Sequence, residues 1–450
     1  MILLRDLAYM IGAAATAPIW LSYLLRTGKH RTDWAGRFGA VDARPDGRPT
    51  VLIHAVSVGE VNATRKLVEL LGSRHGDRLR VVVSTTTNTG FARARELYGD
   101  RLEVVRYPLD LGPAVRRFLK RVRPDVAALM ELEVWPNFAA ICRRRGVGLL
   151  VINGRLSAGS YRGYRRFRPL IRGMFAGLSA AGMQDEAYAE RIIDLGAASE
   201  RVSVTGTMKW DTAERVDDVR GSAELARAMG IDGGRPLVVC GSTGPGEEAM
   251  LAEALRGVED AEGRGVQVMF APRKPERFEE AARAVEGAWG SVVRRTARGD
   301  GAGAGVDVEG EGGGGGGGEG GGGGAFLLDT LGELRKAYAL ADVVIVGRTF
   351  IDLGGSDMIE PAALGKPVII GPDVSNFEET ARRLVEGGGL VQVDGAASAC
   401  REVGRLLADV AAGRRLGEAA RAVIAANQGA TARHADLIES AVATVRADWR

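Results

Sequence analysis

Residues 51–84 read VLIHAVSVGEVNATRKLVELLGSRHGDRLRVVVS. The runs Val51-Leu-Ile-His-Ala55 and Arg80-Val-Val-Val-Ser84 are short and mostly apolar, the composition of strands covered on both faces. Between them, Glu60 to Leu71 has the spacing of an amphipathic helix. Strand, helix, strand in this order is a right-handed parallel crossover, so the fold class is α/β with a doubly wound sheet. The rhythm continues through 102–105, 125–130 and 148–152, with another amphipathic segment at Pro113 to Arg121. A second series starts near Pro236, at 237–240, 266–270, 341–346 and 367–370. Two such units, joined near 212–235, are expected to face each other across a cleft, with ligands at the carboxyl ends of their strands. The expected division is 1–31, 32–215 and 216–450. Residues 298–324, with the core GEGGGGGGGEGGGGG, hold too little apolar surface to repay ordering and are expected to form a disordered surface loop.

The first segment differs from the rest. LAYMIGAAATAPIWLSYLL, Leu7 to Leu25, carries no charge and is just long enough to cross roughly 30 Å of hydrocarbon. Arg26, Lys29, His30 and Arg31 follow at once, so the positive-inside bias predicts a single N-terminal transmembrane helix with all later residues cytoplasmic. A buried helix or a cleaved signal peptide is the alternative. Over the whole chain, 60 Lys plus Arg against 57 Asp plus Glu leave a net charge of +3, which gives no general case for nucleic-acid binding. Cys142, Cys240 and Cys400 are far apart and odd in number, which points to a reduced compartment rather than a disulfide framework. The histidines are scattered, with no zinc spacing; neither metal nor cofactor is expected.

Three segments of the first unit carry candidate chemistry. Glu60 follows a strand and Gly59 and opens a helix, a suitable place for a general base, yet Ser57-Val-Gly-Glu60 also fits a capping box. In Met130-Glu-Leu-Glu-Val-Trp-Pro-Asn137, extended alternation would put Glu131 and Glu133 on one face, where packing near Glu60 would shift their pKa values; two surface carboxylates are the plain alternative. Lys209, in Thr205-Gly-Thr-Met-Lys-Trp-Asp211, could offset the charge of a departing phosphate or simply be solvated. In the second unit, Ala271-Pro-Arg273-Lys274 follows a strand. Gly354 and Gly355 precede a helix start whose N–H groups suit a phosphate, with Glu360 one turn on for ribose hydroxyls. The absence of GxGxxG and Walker spacings disfavours dehydrogenases and ATPases.

Taken in chain order, HAVSVGE (54–60), TTTNTG (85–90), YPLD (107–110), MELEVWPN (130–137), NGRLS (153–157), TGTMKWD (205–211), GSTGPGEE (241–248), APRKPERF (271–278), DTLGEL (329–334) and GGSDMIEPAALGKPVIIGP (354–372) resemble the Kdo transferases. That resemblance implies a GT-B glycosyltransferase with two Rossmann-like domains, the first for the acceptor and the second for the nucleotide sugar. It implies transfer of Kdo from CMP-Kdo to lipid IVA, a lipid A precursor, during lipopolysaccharide assembly at the bacterial inner membrane. By position, Glu60 matches the proton acceptor, and Glu131 and Lys209 match a pair that stabilises the transition state. Pro272, Arg273, Leu331, Gly332, Glu333, Asp357, Met358, Ile359 and Glu360 match CMP-contacting positions. Gly244, Lys274, Ser356 and Asp373 stand where the family commonly has His, and Asp357 where it has Asn. These departures leave a transferase or epimerase for another nucleotide sugar, or an inactive membrane scaffold, as the competing readings.

Overall fold

The computed structural model describes residues 2–26, 32–43, 45–298, 324–446 and 449. Contacts divide the chain into one unit of Met1–Thr212 with Asn427–Arg450 and a second of Ala213–Ala426.

The first unit is built on seven parallel strands: β1 (Thr50–His54), β2 (Arg80–Thr85), β3 (Glu103–Arg106), β4 (Val126–Met130), β5 (Gly148–Gly154), β6 (Ala180–Met183) and β7 (Val202–Val204), in the order β3-β2-β1-β4-β5-β6-β7. Strand alternation sorts the side chains between two cores. Leu52, Ala127, Leu129 and Val151 pack on one face with Phe118 and Phe138. Val51, Ile53, Ala128 and Leu150 pack on the other with Leu67, Leu71 and, from the end of the chain, Ala435, Ile438 and Val442. Both faces are therefore covered, as a parallel sheet requires. The helix Ala430–Val445 belongs to this cover, so the final segment leaves the expected 216–450 domain and completes the first unit. Its destination is set by long-range packing.

The second unit has its own seven-stranded sheet: β8 (Leu237–Thr243), β9 (Gln267–Pro272), β10 (Val293–Arg294), β11 (Ala325–Leu327), β12 (Val343–Val346), β13 (Val368–Ile370) and β14 (Val391–Gln392), in the order β10-β11-β9-β8-β12-β13-β14. All its strand pairings are parallel. Most of the Gly-rich segment expected to be disordered lies outside the described residues, as do Lys29, His30 and Arg31.

The expected transmembrane helix is not found. Leu7–Leu25 is divided between helices Ile2–Ala15 and Ala17–Arg26, of 14 and 10 residues. At 1.5 Å per residue these reach about 21 and 15 Å, short of a hydrocarbon core. Thr16 marks the break, its Oγ1 donating back to Gly12 O at 2.7 Å, and Pro18 restarts the helix in its first turn. The first helix docks on the globular unit through buried Asp6, whose Oδ1 accepts from Gly112 N and Asn137 Nδ2 at 2.9 Å each. No helix among the described residues is long and apolar enough to cross a membrane.

Candidate active site

β1 delivers Ala55–Gly59 to the carboxyl edge of the first sheet, where the helix Val58–His75 begins with Ser57 as N-cap. Glu60 Oε2 accepts from Val56 N at 2.9 Å and Oε1 accepts from Ser57 Oγ at 2.9 Å. The capping geometry is therefore present. It does not exhaust the carboxylate, because each oxygen has a second lone pair for an incoming proton. The same contacts hold the group in one orientation.

β4 ends at Met130, and Glu131 then turns into the left-handed region with φ 55° while its N–H donates to Ile152 O at 3.0 Å. The extended alternation expected for Glu131 and Glu133 is thus broken at Glu131. Both residues nonetheless sense Glu60. Burial pushes the Glu131 carboxyl up, the charge of Glu60 adds to this, and Arg155 and Lys209 oppose it. Glu133 is also raised by burial, with Glu60 adding and a hydrogen bond from Trp135 Nε1 at 3.0 Å opposing. Three carboxylates and two cations consequently act on one another at this edge. Arg155, in NGRLS, is the member that sequence reading did not single out.

The loop that bears Lys209 is held from below. Asn153, with φ 51°, accepts from Met208 N at its Oδ1 (3.1 Å), and its own N–H donates to His434 Nε2 (3.1 Å). Burial, and then Arg433, push the His434 imidazole down to about 4. Asp211 accepts from Gly429 N and Thr431 N at 2.6 Å each, at the start of the C-terminal helix. Gln428 Nε2 donates to Trp210 O at 3.0 Å. None of these partners is near in sequence, so no local pattern announces them.

In the second unit the predicted donor residues separate into groups. Pro272 closes β9 and Arg273 is exposed beside it, its N–H donating to Thr243 O at 3.2 Å. Leu331 is exposed and Gly332 has φ 86°. Glu333 is occupied by Thr330 Oγ1 at 2.6 Å, Arg295 Nε at 3.1 Å and Lys336 Nζ at 3.2 Å. Met358 and Ile359 are core residues. Asp357 and Glu360 lie close enough that burial and then the charge of Asp357 raise the Glu360 carboxyl, with Arg335 opposing. Gly354 N donates to Asp373 Oδ2 at 2.5 Å and Gly355 N to Arg348 O at 2.8 Å, so these two N–H groups brace the turn, and the helix that follows starts at Ile359, whose N–H donates to Asp357 Oδ1 at 2.9 Å. Ser356 is buried, with Oγ donating to Ser242 O at 3.3 Å. No three His, Cys, Asp or Glu side chains among the described residues gather into a metal-holding group.

A family profile described as 3-deoxy-D-manno-octulosonic-acid transferase (kdotransferase) matches residues 32–212. The chain is 35% identical to the 3-deoxy-D-manno-octulosonic acid transferase of Bordetella pertussis, over 96% of this chain and 98% of that one. It belongs to the Kdo transferase family. A second Kdo transferase, from Haemophilus influenzae, is 30% identical over 92% of each chain. As a Kdo transferase the chain is a glycosyltransferase. Among solved structures, a glycosyltransferase from Rickettsia africae aligns with TM-score 0.55 and 11% identity over 88% of this chain and 99% of that one. A UDP-GlcNAc 2-epimerase from Neisseria meningitidis aligns with TM-score 0.55 and 11% identity over 87% of this chain and all of that one. The paired Rossmann-like sheets are thus those of the GT-B fold, which carries transferases and epimerases alike and does not decide the reaction of this Kdo transferase.

Proposed function

We propose that the protein transfers Kdo from CMP-Kdo to lipid IVA with inversion at the anomeric carbon, and that Glu60 is the general base. The observation that carries this reading is the mutual influence of Glu60, Glu131, Lys209 and Arg155 at the carboxyl edge of the first sheet, in a chain of this family. Glu60 takes the proton of the acceptor hydroxyl, whose oxygen attacks the anomeric carbon as the bond to CMP breaks. Lys209 offsets negative charge on the leaving phosphate, and Glu131 keeps Lys209 in place. The nucleotide is held by Pro272 and Arg273, by 331–333 and by 357–360. Such a base contributes about 10²–10⁴ in rate. Glu60→Gln keeps the size and a capping acceptor but not the basicity, so kcat should fall by that factor while CMP affinity is unchanged. Undiminished turnover would move the base elsewhere.

The N-terminal helices support a further part of this reading. Leu3, Leu4, Leu7, Met10, Ile11, Ile19, Trp20 and Leu25 are exposed on them. We infer that this apolar surface lies in a bilayer interface, as amphipathic helices do, rather than spanning it. Co-sedimentation with anionic vesicles that fails to weaken in Leu4→Glu/Ile11→Glu would refute this.

A further inference from the structure

Arg348 follows β12 in the left-handed region, with φ 62°, where a non-glycine residue is strained unless its surroundings hold it. They do. Its N–H donates to Glu247 Oε2 at 2.5 Å and its carbonyl accepts from Gly355 N at 2.8 Å. Glu247 is fully buried and also accepts from Gly244 N at 2.7 Å and Phe350 N at 3.0 Å, which ties the loops after β8 and β12 together. The bare Cα of Gly244 then makes room for the arginine stem. A methyl group there would lie 3.1 Å from Arg348 Cγ and 3.0 Å from a Cδ1 of both Ile351 and Leu353. At the far end Nη2 donates to Leu353 O at 3.0 Å, while Nε is buried without a partner.

β8 lies between β9 and β12, so Arg273 and Arg348 emerge from the carboxyl ends of strands that flank it. Neither forms an ion pair with a carboxylate among the described residues. Their charges oppose each other: the Arg348 guanidinium is pushed down by burial and then by Arg273, with Glu247 compensating in part. Two guanidinium groups at the carboxyl ends of strands on either side of β8, the edge where ligands of such sheets bind, call for an oxyanion to share.

We propose that Arg348, acting with Arg273, is a ligand for the anionic part of the donor, its phosphate or its sugar carboxylate. This rests on the reading of the chain as a CMP-Kdo transferase. Three variants test it by calorimetric titration of CMP and steady-state kinetics with CMP-Kdo and lipid IVA: Arg348→Gln, Arg348→Lys and Arg348→Gly. Glycine accepts φ 62° without strain, so Arg348→Gly removes the guanidinium from a backbone that should still fold. If Arg348 holds the phosphate, the Kd for CMP rises about tenfold to a hundredfold in the Gln and Gly variants, the scale of a lost charge-assisted bond. If it holds the carboxylate, CMP affinity stays and the KM for CMP-Kdo rises by that factor. In either case Lys recovers part of the loss, and the effect shrinks at high salt. CMP affinity and donor KM both within twofold of wild type overturn the proposal, as does a fall in kcat alone, which would mark Arg348 as a strut for 351–353. A wild-type protein that neither binds CMP nor consumes CMP-Kdo overturns the underlying reading and this proposal with it; an active wild type indifferent to Arg348 overturns only the latter.

Discussion

Replacing Asp211 by Ala should uncouple the C-terminal helix from the Lys209 loop. The carboxylate is 9% exposed and accepts from Gly429 N and Thr431 N at 2.6 Å each. Hydrogen bonds to a charged group contribute about 1.5 kcal/mol or more each, so their joint loss should cost about 3 kcal/mol, above the 0.5–2 kcal/mol of an ordinary N-cap. Asp211→Asn keeps one acceptor oxygen and should lose about half as much. The assay is urea unfolding paired with amide hydrogen exchange over 430–445, because two units that melt separately would blur a single global midpoint. Protection of that helix should fall by the factor that 3 kcal/mol implies, about a hundredfold or more. Turnover should also fall, about tenfold to a hundredfold, since a displacement near 1 Å in a catalytic group has that effect. A loss under about 1 kcal/mol with unchanged protection would refute the view that this carboxylate fastens the helix.

Other expectations follow from burial and charge. The Glu131 carboxyl is raised by burial and by Glu60, so its contribution to stability is fully present below the unfolded glutamate range and is lost as pH rises through its folded value. Glu131→Gln should therefore gain stability relative to wild type between pH 4 and pH 8, measured by urea unfolding at both. His434 moves the opposite way: its pKa is lowered from 6.5 to about 4, so its contribution is present above 6.5 and is lost as pH falls, by about 3 kcal/mol in full. An acid-unfolding profile identical in wild type and His434→Gln would show that another group is responsible. In the helix Val410–Asn427, a methyl group on Gly417 would sit 1.9 Å from Gly365 O, whereas Gly404 in Ala396–Ala408 meets nothing within 4 Å. Calorimetry should show Gly417→Ala destabilised by about 2 kcal/mol or more, and Gly404→Ala gaining up to about 1 kcal/mol.

Strands buried on both faces were legible where apolar runs were long, as at Thr50–His54, Arg80–Thr85 and Gly148–Gly154. Ala180–Met183, Ala325–Leu327 and Val391–Gln392 were not, because two to four small or mixed residues give no period. The N-terminal stretch misled for a definable reason: hydropathy counts apolar residues, while the break at Thr16 and the docking of Asp6 depend on backbone and tertiary hydrogen bonds. The placement of Glu60 and Glu131 after β1 and β4 could be read because motif and strand end coincide. Asn153, Asp211 and His434 could not, since each acts through a partner at least 55 positions away. The fate of the Gly354 N–H likewise lay with Asp373, 19 residues on.

The helix Ala430–Val445 has a consequence for how the protein is made. The first sheet is translated early, yet the helix that covers Ile53, Ala128 and Leu150 follows the whole of Ala213–Ala426. At about 5–20 residues per second, those intervening 214 residues take about 10–40 s. For that interval the nascent chain carries a sheet with part of one face bare. A ribosome-bound chain halted near residue 426 should therefore expose a chaperone-binding surface that the finished protein hides, and a stop codon there would release a first unit with its Lys209 loop unfastened.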